Sequence, residues 1–88
     1  MKRMVVAVYD SAAELFGTPF FVTNAATAVR SFTDEINRAG ADNPLFKHPE
    51  DYILYSLSAY EDETGNFEND ASLKRVLIRG KDVIREPS

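Results

Sequence analysis

No cysteine occurs in the 88 residues, which removes disulfide staples, thiolate metal sites and cysteine nucleophiles together. A secreted domain this small usually needs such staples, so a cytoplasmic protein is expected. Tryptophan is absent, and histidine is limited to His48. A serine triad around His48 would have to recruit Ser56 or Ser58, and no nucleophile-elbow pattern surrounds either. One histidine beside Glu50 and Asp51 is also a poor transition-metal set. His48-Pro49-Glu50-Asp51 therefore reads as a turn that launches a strand. Glycine is sparse, and Gly17, Gly40, Gly65 and Gly80 stand alone, so no loop can cradle a phosphate. Asp62–Asn66 lacks the alternating oxygen ligands of a calcium loop. No apolar run approaches the ~18 residues of a membrane span. The apolar start is cut off by Tyr9-Asp10, too early for a signal peptide. The chain is expected to be no enzyme, to need no cofactor or metal and to avoid membranes.

What is present is ordinary in amount and uneven in distribution. Apolar residues make up 44% and charged residues 27%, as in soluble globular proteins. The length suits one α+β domain over residues 1–80, followed by a tail over 81–88. A chain this short buries only ~60–65% of its unfolded surface, so its margin is thin and a partner subunit would help. The net charge is −4. Residues 1–71 hold 5 Lys/Arg against 12 Asp/Glu, whereas residues 72–88 hold 5 Lys/Arg against 2 Asp/Glu. Such asymmetry can separate a basic contact surface from an acidic, solubilising one.

Periodicity places the elements. Lys2–Asp10 alternates Val5, Ala7 and Tyr9 with Met4, Val6 and Val8, so both faces of this strand are apolar, as in a central strand. Ala12–Phe16 allows one helical turn, and Phe20–Val22 a short strand or a covering loop. Asn24–Ala39 is the clearest helix. Thr23 or Asn24 can cap it, and Ala25, Ala28, Val29, Phe32, Ile36 and Ala39 form its apolar stripe. Gly40 is expected to end it in the left-handed conformation, with Arg38 near the negative end of its dipole. Ala41–Asp51 reads as a loop. Tyr52–Tyr60 reads as a strand whose expected core face is Ile53, Tyr55, Leu57 and Ala59. Glu61–Asn66 is a turn with Gly65 at positive φ, and Phe67 begins a return strand. Leu73–Arg79 reads as a strand, with a helix from Ala71 to Ile78 as the alternative. From Gly80 onward a turn and a frayed tail are expected.

A strand, a helix and a strand in this order predict a right-handed crossover between parallel strands. The expected architecture is one main helix on a small mixed sheet in β-α-β-β-β order. One helix cannot cover both faces of a sheet. The bare face is expected to carry Tyr52, Leu54 and Tyr60, or Arg75 and Arg79, and to pair subunits into a homo-oligomer, most simply a dimer.

Aromatic residues are 11% of the chain. Phe32 belongs to the helix stripe and Tyr55 to the expected core. Phe20, Phe21, Tyr52 and Tyr60 either fill the core or a dimer seam, or act as stacking platforms for single-stranded nucleic acid. Arg75 and Arg79, read on one face of the last strand, would then meet phosphate.

Val8-Tyr9-Asp10-Ser11, Thr18-Pro19-Phe20-Phe21, Ala28-Val29-Arg30-Ser31-Phe32, Lys47-His48-Pro49-Glu50-Asp51-Tyr52 and Asp62-Glu63-Thr64-Gly65-Asn66-Phe67 occur in this order. The set resembles the small non-structural protein of gokushovirus-type microviruses, bacteriophages with circular single-stranded DNA genomes. The resemblance implies a DNA-binding accessory in the switch from duplex replication to single-strand synthesis and packaging, and the expectation is a protein of the host cytoplasm that binds single-stranded DNA during genome synthesis or packaging. The resemblance transfers no catalytic residue. On this expectation Arg30, Lys74, Arg75 and Arg79 contact phosphate, and Phe20, Phe21 and Tyr52 stack on bases. The alternative is an adaptor that binds a viral or host replication protein without touching DNA.

Overall fold

Two long strands carry the fold, and every other element is placed by how it meets them. The computed structural model describes residues 1–85; residues 86–88 of the expected tail lie outside the described residues. β1 (Lys2–Asp10) is rich in β-branched residues and ends at Asp10, whose Oδ1 accepts from the Ala12 and Ala13 amides at 3.0 and 3.2 Å. Competition of this kind for backbone donors breaks strands. The chain doubles back as β2 (Leu15–Phe16) and β3 (Phe20–Val22), both antiparallel to β1. The helical turn expected at Ala12–Phe16 is thus a tight hairpin, with Glu14 at φ 59°.

α1 (Ala25–Ile36) follows, capped by Asn24, whose Oδ1 accepts from the Thr27 amide at 2.9 Å. Its buried face is Ala28, Phe32 and Ile36, as the stripe predicts. The helix stops at Ile36, short of Gly40, because side chains rather than a left-handed glycine satisfy its end. Asn37 Nδ2 donates to the carbonyls of Thr33 and Val83, and Asn43 Nδ2 donates to those of Glu35 and Arg38. Arg38 lies beyond the last turn and pairs with Glu35 at 2.7 Å. The expected loop contains a one-turn helix, α2 (Pro44–Lys47), then a 3-10 turn at Pro49–Asp51.

β4 (Tyr52–Glu61) lies beside β1 and runs antiparallel to it, from Tyr52 opposite Asp10 to Glu61 opposite Lys2. This corrects the expected parallel pair. The return along β3 reverses the chain once before the helix, so α1 links β3 to β4, and those two strands run the same way on either side of β1. β5 (Asn66–Glu68) closes the hairpin, with Gly65 at φ 76°. β6 (Arg75–Arg79) follows a 3-10 turn at Ala71–Leu73 and also pairs with β4. All six strands form one antiparallel sheet, not a mixed one. Its rows are β3-β1-β4-β5 at one end and β2-β1-β4-β6 at the other.

The helix covers one face of this sheet. Val6, Val22 and Leu54 are buried there against Ala28, Phe32 and Ile36, with Met4, Val8, Tyr52 and Ile78 packed around them. From Tyr52 to Ser56 the core face of β4 is therefore the Leu54 face, not the expected Ile53 and Tyr55 face, and Tyr52 and Leu54 are covered rather than bare; a register shift at Leu57 then puts Ala59, opposite Met4, on the helix side as expected. Alternation alone could not choose, because both faces of β4 hold apolar side chains. The expected frayed tail is in part tied down. Gly80–Asp82 is a 3-10 turn, and the Arg85 amide donates to Asn37 Oδ1 at 2.8 Å.

Candidate functional site

The face of the sheet away from α1 is lined by rings. Side chains alternate along a strand, and residues opposite one another in an antiparallel pair share a face. Met4, Val6 and Val8 of β1 face the helix, so Arg3, Val5, Ala7 and Tyr9 face the other way. Val5 and Ala7 are nevertheless only 5% and 0% exposed. Two aromatic clusters supply their cover. At one end Tyr9, Phe16 and Tyr55 meet with ring centroids 4.7–5.9 Å apart. At the other, Phe21, Tyr60 and Phe67 meet at 4.8–6.3 Å. Each cluster draws its rings from three strands, and the spacings suit tilted and edge-on aromatic contacts. Phe16, Phe21 and Phe67 remain 40%, 50% and 54% exposed, so the cover is itself open to solvent.

Charge divides the two ends. The β4–β5 hairpin carries Glu61, Asp62, Glu63 and Glu68, and every cation there is engaged. The Met1 ammonium hydrogen-bonds Asp62 and Glu61 at 2.8 and 2.7 Å, which raises its pKa to about 10 and lowers those of both carboxyls. Lys2 pairs with Glu68 at 2.9 Å and Arg3 with Asp62 at 3.2 Å. The β6 end carries Lys74, Arg75, Arg79 and Lys81, and among the described residues none of the four forms an ion pair. The Lys74 ammonium lies 5.6 Å from the centroid of the Phe16 ring.

The structure divides the residues expected to bind nucleic acid. Lys74 and Arg79 stand on the ring-lined face. Arg75 does not share it. Ile53 of β4 lies opposite Arg79, Tyr55 opposite Val76 and Ser56 opposite Arg75, with a register shift between Leu54 and Tyr55. The extra β6 residue at this bulge, Leu77, puts Arg75 and Arg79 on opposite faces, which corrects the shared face expected of them. Phe21 joins the hairpin-end cluster, while Phe20, opposite Val6, lies on the helix side. Tyr52 packs against the core, where burial and then the charges of Asp10 and Asp51 raise its pKa. Arg30 lies on the outer side of α1 beside Thr27 and Ser31, away from the rings.

Tyr9, Phe16 and Phe67 are ring-face residues that the sequence reading leaves without a role. A usable signal was present. Both faces of β1 are apolar while only one helix is available, so half of that strand had to find other cover.

His48, Glu50 and Asp51 bring ligand atoms within 4.8 Å of one another in the turn before β4, with His48 and Glu50 exposed. All three come from one four-residue turn. A cavity of about 330 Å³ between Val8, Leu15, Phe16, Leu45 and Tyr52 has one carboxylate in its wall, that of Asp10, which the Ala12 and Ala13 amides already occupy. No described helix is long and apolar enough to cross a membrane.

Residues 3–83 match the model of a protein family described as Phage ORF5 protein. No curated protein and no solved structure matches the chain.

Proposed function

The chain belongs to the Phage ORF5 protein family, and from that membership we propose a non-enzymatic phage protein, of the gokushovirus type, that binds single-stranded DNA in the host cytoplasm during genome replication or packaging. The observation that carries this reading is the ring-lined sheet face beside Lys74 and Arg79, which form no ion pair among the described residues. Bases stack on exposed aromatic rings whatever their sequence, while Lys and Arg beside the rings meet the phosphates. The acidic total charge is no obstacle when cations are gathered on one edge, because binding responds to local potential. Phage origin alone would suit a capsid or assembly role equally well. The open aromatic face is what favours a nucleic-acid ligand.

Fluorescence anisotropy of a labelled oligonucleotide tests the reading. Binding is expected at low salt, and affinity should fall steeply as salt rises, because each phosphate contact releases condensed counterions. Absence of binding at low salt overturns it. We also carry the homodimer as part of the proposal, since exposed Phe21 and Phe67 give the hairpin end an apolar surface that a second copy would bury.

A further inference from the structure

The two aromatic clusters differ in one decisive respect, which is whether the cations beside them are already committed. At the hairpin end, Met1, Lys2 and Arg3 are held by Glu61, Asp62 and Glu68. A phosphate arriving there would have to break an ion pair and then face the released carboxylate. At the β6 end, Lys74 and Arg79 share the ring-lined face and have no carboxylate partner among the described residues. The nearby acid Asp10 belongs to the helix-side set of β1 and is bound by the Ala12 and Ala13 amides. Glu14 lies in the exposed β1–β2 turn. The Lys74 ammonium rests over the Phe16 ring at 5.6 Å. An exposed cation–π contact of this kind is weak and easily exchanged.

We propose that DNA stacks at one end of the sheet only: a base takes the place of the Lys74 ammonium on the Tyr9–Phe16–Tyr55 cluster, and Lys74 moves to the adjoining phosphate. Arg79, on the same face of β6, meets a second phosphate. The Phe21–Tyr60–Phe67 cluster is held clear of the strand by its carboxylates. Phe16 is thus a binding residue, and Lys74 occupies its ring until DNA arrives. The inference rests on the DNA-binding reading above and narrows it to one subsite.

The test uses the full chain with a labelled oligothymidylate. Phe16→Ala should weaken binding about five- to a hundredfold, the range for losing one base–aromatic stack, while Phe67→Ala, compared with wild type in the same oligomeric state by sedimentation velocity, leaves it within error. Lys74→Gln changes an exposed side chain, so it retains the fold even if Phe16→Ala does not. It should reduce the slope of log K against log salt by about 0.7. Because the chain has no tryptophan, Phe16→Trp and Phe67→Trp each supply a single reporter. DNA should quench the first and leave the second unchanged. Equal or greater loss, or equal quenching, at position 67 overturns the subsite and leaves DNA binding standing. Wild-type binding with no effect at position 16 or at Lys74 does the same. Failure of the wild type to bind at low salt overturns the broader reading, and the subsite with it.

Discussion

Asn43 closes the main helix from seven residues beyond its end. It is 1% exposed, donates through Nδ2 to the Glu35 and Arg38 carbonyls at 2.8 Å each, and accepts through Oδ1 from the Leu45 amide at 3.1 Å. Asn43→Ala would remove the side-chain partner of the Arg38 carbonyl and the Leu45 amide in a partly buried site, while the Glu35 carbonyl would keep the Arg38 amide. A loss of about 2–3 kcal/mol is expected, seen as a fall of about 10 °C or more in the thermal midpoint by circular dichroism. Gly80 is constrained by space rather than by φ. A Cβ there would fall on the carbonyl oxygen of Pro49 and stand 2.9 Å from Ile36 Cδ1 and 3.0 Å from the Tyr52 carbonyl oxygen. Two of these neighbours are backbone and cannot swing aside, so Gly80→Ala should cost about 1–3 kcal/mol in a urea titration. Neither role is legible locally. Asn43-Pro44 reads correctly as a turn, but the carbonyls it serves are found only once the chain has folded back.

At the scale of elements, carboxyls that folding holds below their ordinary pKa are expected to make stability depend on acid. Arg38 hydrogen-bonds Glu35, the Met1 ammonium hydrogen-bonds Glu61 and Asp62, and the Ser72 amide hydrogen-bonds Asp70, each lowering the carboxyl. A carboxyl lowered by folding stabilises the native state above its unfolded pKa, near 4. That contribution fades as pH falls through the folded value. The urea midpoint should therefore be flat from pH 7 to about 5 and decline below pH ~4. A midpoint unchanged down to pH 3 would show these contacts to be unimportant. The same elements show how far pattern reading reaches. The cap at Asn24, the stripe of α1, the turn at Gly65 and the strand at β6 follow from neighbours a few residues apart. The core face of β4 does not, because Leu54 and Ile53 are equally apolar, and only the position of α1 separates them.

Over the whole molecule, which measures 45 × 27 × 22 Å, one face of the sheet lies under the helix and one under rings alone. A protein so thin, with Phe21 and Phe67 half exposed, should self-associate. Sedimentation velocity is expected to give the mass of a dimer, and Phe67→Lys should shift it to the monomer. A strict monomer for the wild type would remove the dimer while leaving DNA binding to its own test.

From residue order alone came one α+β domain with a single amphipathic helix, two apolar central strands, a hairpin at Gly65 and a separation of acidic from basic segments. Each depends on propensities and spacings that neighbouring residues express on their own. Folding in three dimensions decided strand direction, the buried face of β4 and the company each aromatic ring keeps. Direction turned on the short return along β3, and the separation of Arg75 from Arg79 turned on one extra residue at Leu77. Because strand side chains alternate with a period of two, a single bulge exchanges the faces beyond it, and only the paired partner strand reveals where that bulge falls.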